Sequence, residues 1–206
     1  MNHYTAAYHS PVGPIVIESD GEALTGLRFG EGKLALRSED LGVWTAPHPM
    51  PTQAACSLPI FDEVIRWLDD YFAGKQRENA VMGGKTDGRI TVQPRGSMFQ
   101  QRVWQALLSI PYGETVSYGE LAQMVGCKSA QAVGQAVGAN PIALFIPCHR
   151  VIAAHGKLGG YAYGQEIKRH LLEWEKNPTE TFTIISPAQR SQYTSVPSVQ
   201  HCNVDE

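Results

Sequence analysis

The hexapeptide "IPCHRV", residues 146–151, sets a thiol, an imidazole and a guanidinium in a row as Cys148, His149 and Arg150. A free thiol with a pKa of about 8.5 is only ~3% thiolate at pH 7, so a nucleophilic cysteine needs a proton acceptor or a cation beside it. His149 and Arg150 are of the right types, although neighbours in sequence need not face the sulfur. A carboxylate orienting the histidine would complete a cysteine–histidine–acid relay. Glu175 closes a segment with helical periodicity and can supply that carboxylate if the segment packs back on the Cys148 loop. Three other readings stand beside this one: a metal ligand, half of a disulfide, or a buried sulfur, which is the common state of free cysteine.

Composition narrows the field. Cys56, Cys127, Cys148 and Cys202 are scattered, with no C-x-x-C or H-x-x-x-H spacing, so neither a disulfide scaffold nor a zinc site is expected, and no metal or cofactor is called for. With 206 residues, 43% hydrophobic and 18% charged, the chain has the balance of a soluble globular protein. A net charge of −3 argues against a nucleic-acid binder that works by bulk charge. The charge is uneven, however: residues 97–176 carry 7 basic and 5 acidic side chains, against 9 and 12 in residues 1–96. The opening residues lack a charged-then-apolar leader, and "IALFI" falls far short of the ~18 apolar residues of a membrane span. The expectation is a protein without membrane contact, cytoplasmic, or nuclear in a eukaryote.

Three groups of elements must position these side chains. Residues 1–96 read as a small α/β unit. "HYTAAYH" and "PIVIES" flank the turn "SPVG", "LTGLRFG" follows "DG", and "FDEVIRWLDDYFAG" carries a helical apolar stripe closed by Gly74. Residues 31–58 read as irregular, and one more strand is expected near 89–92 within a linker. A second unit spans 97–176. Ser97 with Gln100, and Ser117 with Glu120, are capping boxes that open two helices, and Ser129 caps a third, which Asn140-Pro141 ends. The second and third helices, joined by "GCK", read as a helix-turn-helix. Gly134 and Gly138 weaken the third helix by about 1 kcal/mol each relative to alanine. They fit either tight helix packing or a close approach to a nucleic-acid backbone. "IALFI" reads as a buried strand-like run delivering Cys148, and "GQEIKRHLLEWE" as a last helix with Ile167, Leu171 and Trp174 on one face. Residues 177–206 lack periodic hydrophobicity and read as a disordered tail.

From Ser97 to Glu175 the chain closely resembles the methylated-DNA–protein-cysteine methyltransferases, which act on 6-O-alkylguanine. The matching segments are "FQQRVWQALLSIPYGETVSYGELA", "AVGQAVGANPIALFIPCHRVI" and "GKLGGYAYGQEIKRHLLEWE". "SPVGPIVIESDGEALTGLRFG" and "WLDDYFAG" extend the resemblance through the first ~90 residues. It implies an amino-terminal ribonuclease-H-like α/β domain and a mostly α carboxy-terminal domain with a helix-turn-helix, winged-helix-like in style.

On that resemblance, Cys148 is the alkyl acceptor, His149 its water-linked base, and Glu175 the acid that orients His149. Asn140 is a hinge tying the cysteine loop to the recognition helix. Tyr118 hydrogen-bonds a ring nitrogen of the flipped guanine, and Val151, Tyr161 and Ala162 line the base pocket. Gln131, Ala132, Gly134, Gln135 and Arg150 face DNA. The implied partner is double-stranded DNA containing alkylated guanine, met by a monomer that reacts once, possible lesions including 4-O-methylthymine. Two departures stand out: Gln131 replaces the arginine usual in the recognition helix, and Gln165 a common leucine. The competing functions are a non-catalytic lesion sensor of the same fold and a Cys–His hydrolase, which would turn over repeatedly.

Overall fold

The computed structural model describes residues 3–30, 58–75, 81–82 and 90–177. The irregular segment, most of the linker and the tail read from the sequence lie outside the described residues.

Strands β1 (Tyr4–Ser10), β2 (Gly13–Ser19) and β3 (Leu24–Phe29) form an antiparallel meander. Alternate positions of β2 send Ile15 and Ile17 into the core, as Leu27 and Phe29 do in β3, and a register shift opposite Glu18 and Ser19 lets Leu24 be buried as well. Helix α1 (Pro59–Phe72) opens on a proline, which supplies the helical φ at no cost in hydrogen bonds. It buries Ile60, Phe61, Val64, Leu68, Tyr71 and Phe72 along one stripe. Gly74, at φ +73°, lets the Lys75 N–H turn back to the Asp70 carbonyl and close the helix. Two short parallel strands, β4 (Val81–Met82) and β5 (Thr91–Val92), complete a sheet of order β1-β2-β3-β5-β4. β5 lies where one strand was expected. β4 has no expected counterpart, because two residues carry no alternation to read.

Helix α2 (Met98–Leu107) begins at the Ser97–Gln100 capping box, both of whose hydrogen bonds form. It buries Val103, Trp104 and Leu107, and the Trp104 indole N–H donates to the Ala136 carbonyl at 2.8 Å. Strand β6 (Val116–Ser117) runs directly into α3 (Tyr118–Met124), whose Ser117–Glu120 capping box also forms. Gly126 (φ +62°) ends that helix, and Ser129 caps α4 (Ala130–Gly138). The helix-turn-helix is therefore α3–α4. β7 (Val151–Ile152) pairs in parallel with β6, and α5 (Gln165–Lys176) closes the described chain.

"IALFI" departs from its reading as a strand. Only Ile142 makes a bridge, to Leu27 of β3, and the rest coils through turns with Leu144 at φ +65°. All five residues are buried, so hydrophobicity alone could not distinguish a strand from a packed turn. Among the described residues no helix is long and apolar enough to cross a membrane, and no three His, Cys, Asp or Glu side chains converge as metal ligands would.

Candidate active site

Asn140, the first residue beyond α4's C-cap, organises the cysteine loop. Its side-chain oxygen accepts from the Ile142 N–H (3.0 Å), while its Nδ2 donates to the Ile146 carbonyl (2.8 Å) and to Cys148 Sγ (3.1 Å). These bonds compete successfully with strand pairing, which explains the coiled path of residues 142–146. The loop is also gripped from the amino-terminal unit. Leu27 N–H donates to the Pro141 carbonyl and Ala143 N–H to the Leu27 carbonyl, both at 2.9 Å, and Trp67 packs on Phe145 with ring centroids 4.1 Å apart.

Cys148, His149 and Arg150 form a single 3-10 turn with all three side chains buried. Cys148 is 6% exposed. Burial pushes its thiol up, against the pull of the Asn140 amide, nearby backbone N–H groups and the Lys168 ammonium. A resting thiol of that kind is protonated at neutral pH and needs a base. His149 is fully buried. Its Nε2 sits 2.8 Å from Glu175 Oε1, and its Nδ1 has no hydrogen-bond partner in the protein. A carboxylate on Nε2 fixes that nitrogen as the N–H and leaves Nδ1 as the lone pair able to take a proton. Burial holds His149 below its ordinary value, with Glu175 pulling the other way.

Glu175 is the hub. Oε1 receives His149, Arg150 Nη2 (3.0 Å) and the Tyr71 hydroxyl (2.8 Å). Oε2 receives Arg150 Nε (2.8 Å) and the Gly113 N–H (3.0 Å). Burial alone would raise its carboxyl, but the charges and hydrogen bonds of His149 and Arg150 outweigh that and hold it well below the carboxylate range. Glu175 is thus an anion neutralised in place, leaving His149 neutral and basic.

Tyr118 is brought to the cysteine by strand pairing: Val116 lies opposite Val151 and Ser117 opposite Ile152, just past the Cys148 turn. Its ring fits between two glycines, where a Cβ on Gly134 would stand 3.6 Å from Cε1 and one on Gly159 3.4 Å from Cε2. Burial and the nearby Cys148 sulfur raise its phenol. Tyr161 also presents a buried hydroxyl, facing the Cys148 sulfur, its ionisation pushed well up by burial and by Cys148. Val151 is buried, and Ala162 is exposed at the edge of this group.

The expected DNA-facing residues divide. Gln131 and Gln135 are exposed on α4, with Ala132 half-buried between them. Gly134 is half-buried and faces the Tyr118 ring, where a Cβ would make an ordinary contact of 3.6 Å. Arg150 is a correction: it is 1% exposed, and its guanidinium is engaged by Glu175 and, through Nη1, by the Ile110 carbonyl at 2.7 Å. It positions the acid and has no face left for a phosphate.

Sequence reasoning missed three participants: Tyr71, Gly113 and Lys168. Lys168 Nζ donates to the carbonyls of Val151 (2.6 Å) and Gly160 (3.0 Å), joining the two loops that flank the sulfur. Burial brings its ammonium down to about 8, with Cys148 opposing. A signal existed, because Lys168, Leu172 and Glu175 follow the i, i+4, i+7 spacing of one helix face. Tyr71 and Gly113 carried none, since each meets Glu175 only through the tertiary fold.

Two family descriptions match the chain: the ribonuclease-like domain of 6-O-methylguanine DNA methyltransferase over residues 3–81, and its DNA-binding domain over residues 98–177. The chain is 41% identical over 173 residues to the methylated-DNA–protein-cysteine methyltransferase of Methanosarcina acetivorans, covering 84% of this chain and 97% of that one. It is 42% identical over 178 residues to the namesake from Mycobacterium bovis, covering 86% and 94%. Among solved structures, Mycobacterium tuberculosis OGT in complex with DNA superposes with a TM-score of 0.62 at 42% identity, covering 86% of this chain and 94% of that one. The O6-methylguanine methyltransferase of the same organism gives 0.63 at 40% identity, covering 93% and 99%.

Proposed function

This chain belongs to the 6-O-methylguanine DNA methyltransferase family, and on that premise we propose that Cys148 is the alkyl-accepting residue of its reaction. The protein repairs DNA by transferring an alkyl group to one of its own cysteines. The observation that carries the assignment is the buried Cys148 sulfur, held by Asn140 beside a His149 whose only free nitrogen is its basic one. The substrate is double-stranded DNA carrying 6-O-alkylguanine, and residues 97–176 form the reacting unit. One chain holds every group named, so a monomer suffices.

The target carbon is out of reach within a stacked duplex, so the base must swing out to meet the sulfur. His149 Nδ1 takes the thiol proton by way of water. The thiolate attacks the alkyl carbon, the S–C bond forms, and the bond from that carbon to guanine O6 breaks with its electron pair on the base. The Tyr118 hydroxyl gives its proton to a ring nitrogen, so the base leaves as neutral guanine, and the proton held by His149 returns through water to the Tyr118 phenolate; the net transfer is of the thiol proton to guanine. Val151, Tyr161 and Ala162 flank the base. The product is a thioether, and among the described residues no group is placed to cleave it.

Incubation with methylated duplex followed by intact-mass measurement therefore gives one methyl group per molecule, located on Cys148, and a protein inert to a second addition. Repeated turnover would indicate a hydrolase-like cycle and overturn the reading.

Gln131 yields a second expectation. An arginine there would hydrogen-bond the orphaned base and attract phosphates, whereas glutamine is shorter and uncharged. Gln131→Arg is expected to speed transfer from duplex DNA about tenfold, the worth of one charged hydrogen bond. It should steepen the salt dependence of binding by about one unit. Reaction with the free 6-O-methylguanine base stays unchanged. Equal acceleration of both substrates would show that position 131 does not fill the vacated stack.

A further inference from the structure

We propose that Tyr71, contributed by the amino-terminal unit, is a positioning residue for alkyl transfer: its hydroxyl shares Glu175 Oε1 with His149 and so sets the pH at which His149 can take the thiol proton. The inference rests on the relay proposed above. Tyr71 lies on α1, far from the carboxy-terminal unit in sequence, yet it meets α5 twice. Its hydroxyl donates to Glu175 at 2.8 Å, and its own carbonyl accepts from the indole N–H of Trp174 at 2.9 Å. One residue thus anchors the acid's side chain and the preceding residue of its helix. The ring is held by Trp67, stacked at 5.2 Å, and by edge contacts with Phe72 at 5.0 Å and Tyr112 at 5.8 Å. The hydroxyl therefore has little freedom to turn away from the carboxylate.

A donor on Oε1 withdraws negative charge from the oxygen that faces His149 Nε2. The other groups around the pair are Arg150, bonded to both carboxylate oxygens; the Gly113 N–H on Oε2; Lys168 and Cys148 near the imidazole; and the Tyr112 and Tyr161 phenols. Tyr71 is the one phenol among them that bonds the carboxylate, since the Tyr112 hydroxyl has no hydrogen-bond partner and the Tyr161 hydroxyl faces the Cys148 sulfur. Without the Tyr71 hydroxyl, Oε1 becomes a stronger acceptor and favours the imidazolium. Neutral His149, the base, is then reached only at higher pH. Tyr71 accordingly keeps His149 neutral at working pH while still oriented.

The test is the pH profile of methyl transfer from free 6-O-methylguanine base to the full chain, followed by intact mass. In Tyr71→Phe the ascending limb moves up by about 0.5–1 pH unit, the equivalent of one hydrogen bond. The rate on that limb falls about three- to tenfold, and the high-pH plateau is largely kept. Tyr112→Phe, a neighbour whose hydroxyl bonds nothing, leaves the limb in place. Fluorotyrosine at position 71 keeps the packing and strengthens the donor, so it moves the limb the opposite way and serves if the phenylalanine variant folds poorly. A Tyr71→Phe profile that superimposes on wild type, or is lowered equally at every pH, overturns the proposal, as does a fluorotyrosine limb that fails to move down. If His149→Ala keeps the wild-type limb, the relay itself is wrong, and that outcome is distinct from a failure of Tyr71 alone.

Discussion

Replacing Cys148 with serine abolishes methyl transfer while leaving the fold and DNA binding in place. An alcohol is about as weakly acidic as water, with a pKa of about 16 against about 8.5 for a thiol. An imidazole already held below its ordinary value by burial yields almost no alkoxide, and a neutral hydroxyl is a far poorer nucleophile than a thiolate toward an alkyl carbon. Asn140 Nδ2, 3.1 Å from the sulfur, still finds an acceptor in the serine oxygen, so the stability change stays within about 1 kcal/mol. The measurement is intact mass after incubation with methylated duplex, paired with a DNA-binding titration and a melting curve. A methyl group recovered on the serine variant would place the acceptor elsewhere. Cys127 is the other described cysteine, and it is half-buried with its sulfur engaged by Ser129. In the wild type the rate climbs with pH on a limb that lies below the ordinary imidazole value, because the base is neutral His149 and burial lowers its titration.

The elements around this chemistry were legible where local physics decides them. Both capping boxes, the Ser129 cap, the Gly74 stop and the turns that join β1 to β2 and β2 to β3 are choices made within a few residues, and each forms as read. "IALFI" was not legible as a turn because its path is dictated by Asn140, whose side chain reaches six and eight residues onward. The α/β and helical units with a helix-turn-helix were readable, but not the way α1 reaches α5. The grouping of Cys148, His149 and Glu175 rested on sequence types and on resemblance. What no spacing could reveal is the company Glu175 keeps. Arg150 faces inward because a buried carboxylate requires a buried cation, and the residue next to a reactive pair looks the same in sequence whether it turns toward DNA or toward the core.

Glu175→Gln is expected to slow methyl transfer by about a hundredfold or more, the worth of an oriented general base, and to destabilise the protein by about 3–5 kcal/mol. The amide is isosteric but cannot satisfy five donors. If its oxygen serves His149 and Tyr71, its NH2 points at Arg150 Nε and the Gly113 N–H, and the opposite flip sets donor against donor at His149 and Tyr71. Either way the buried Arg150 guanidinium loses its anion, and an uncompensated charge with a side chain 2% exposed is the costly part. The sign of the pH dependence follows from the depressed carboxyl. Its contribution is fully present above the ordinary carboxyl value of 4.5 and drains away as pH falls further toward the folded-state value. His149, also held low, adds acid sensitivity in the same direction just below 6.5. Wild-type stability therefore drops on acidification through both windows, whereas the glutamine variant starts lower and loses the slope below 4.5 that Glu175 supplies. Urea midpoints at neutral pH and at about pH 4 separate the two. A variant as stable as wild type at neutral pH, with an unchanged acid slope, would mean that the carboxylate is not the ion that Arg150 needs.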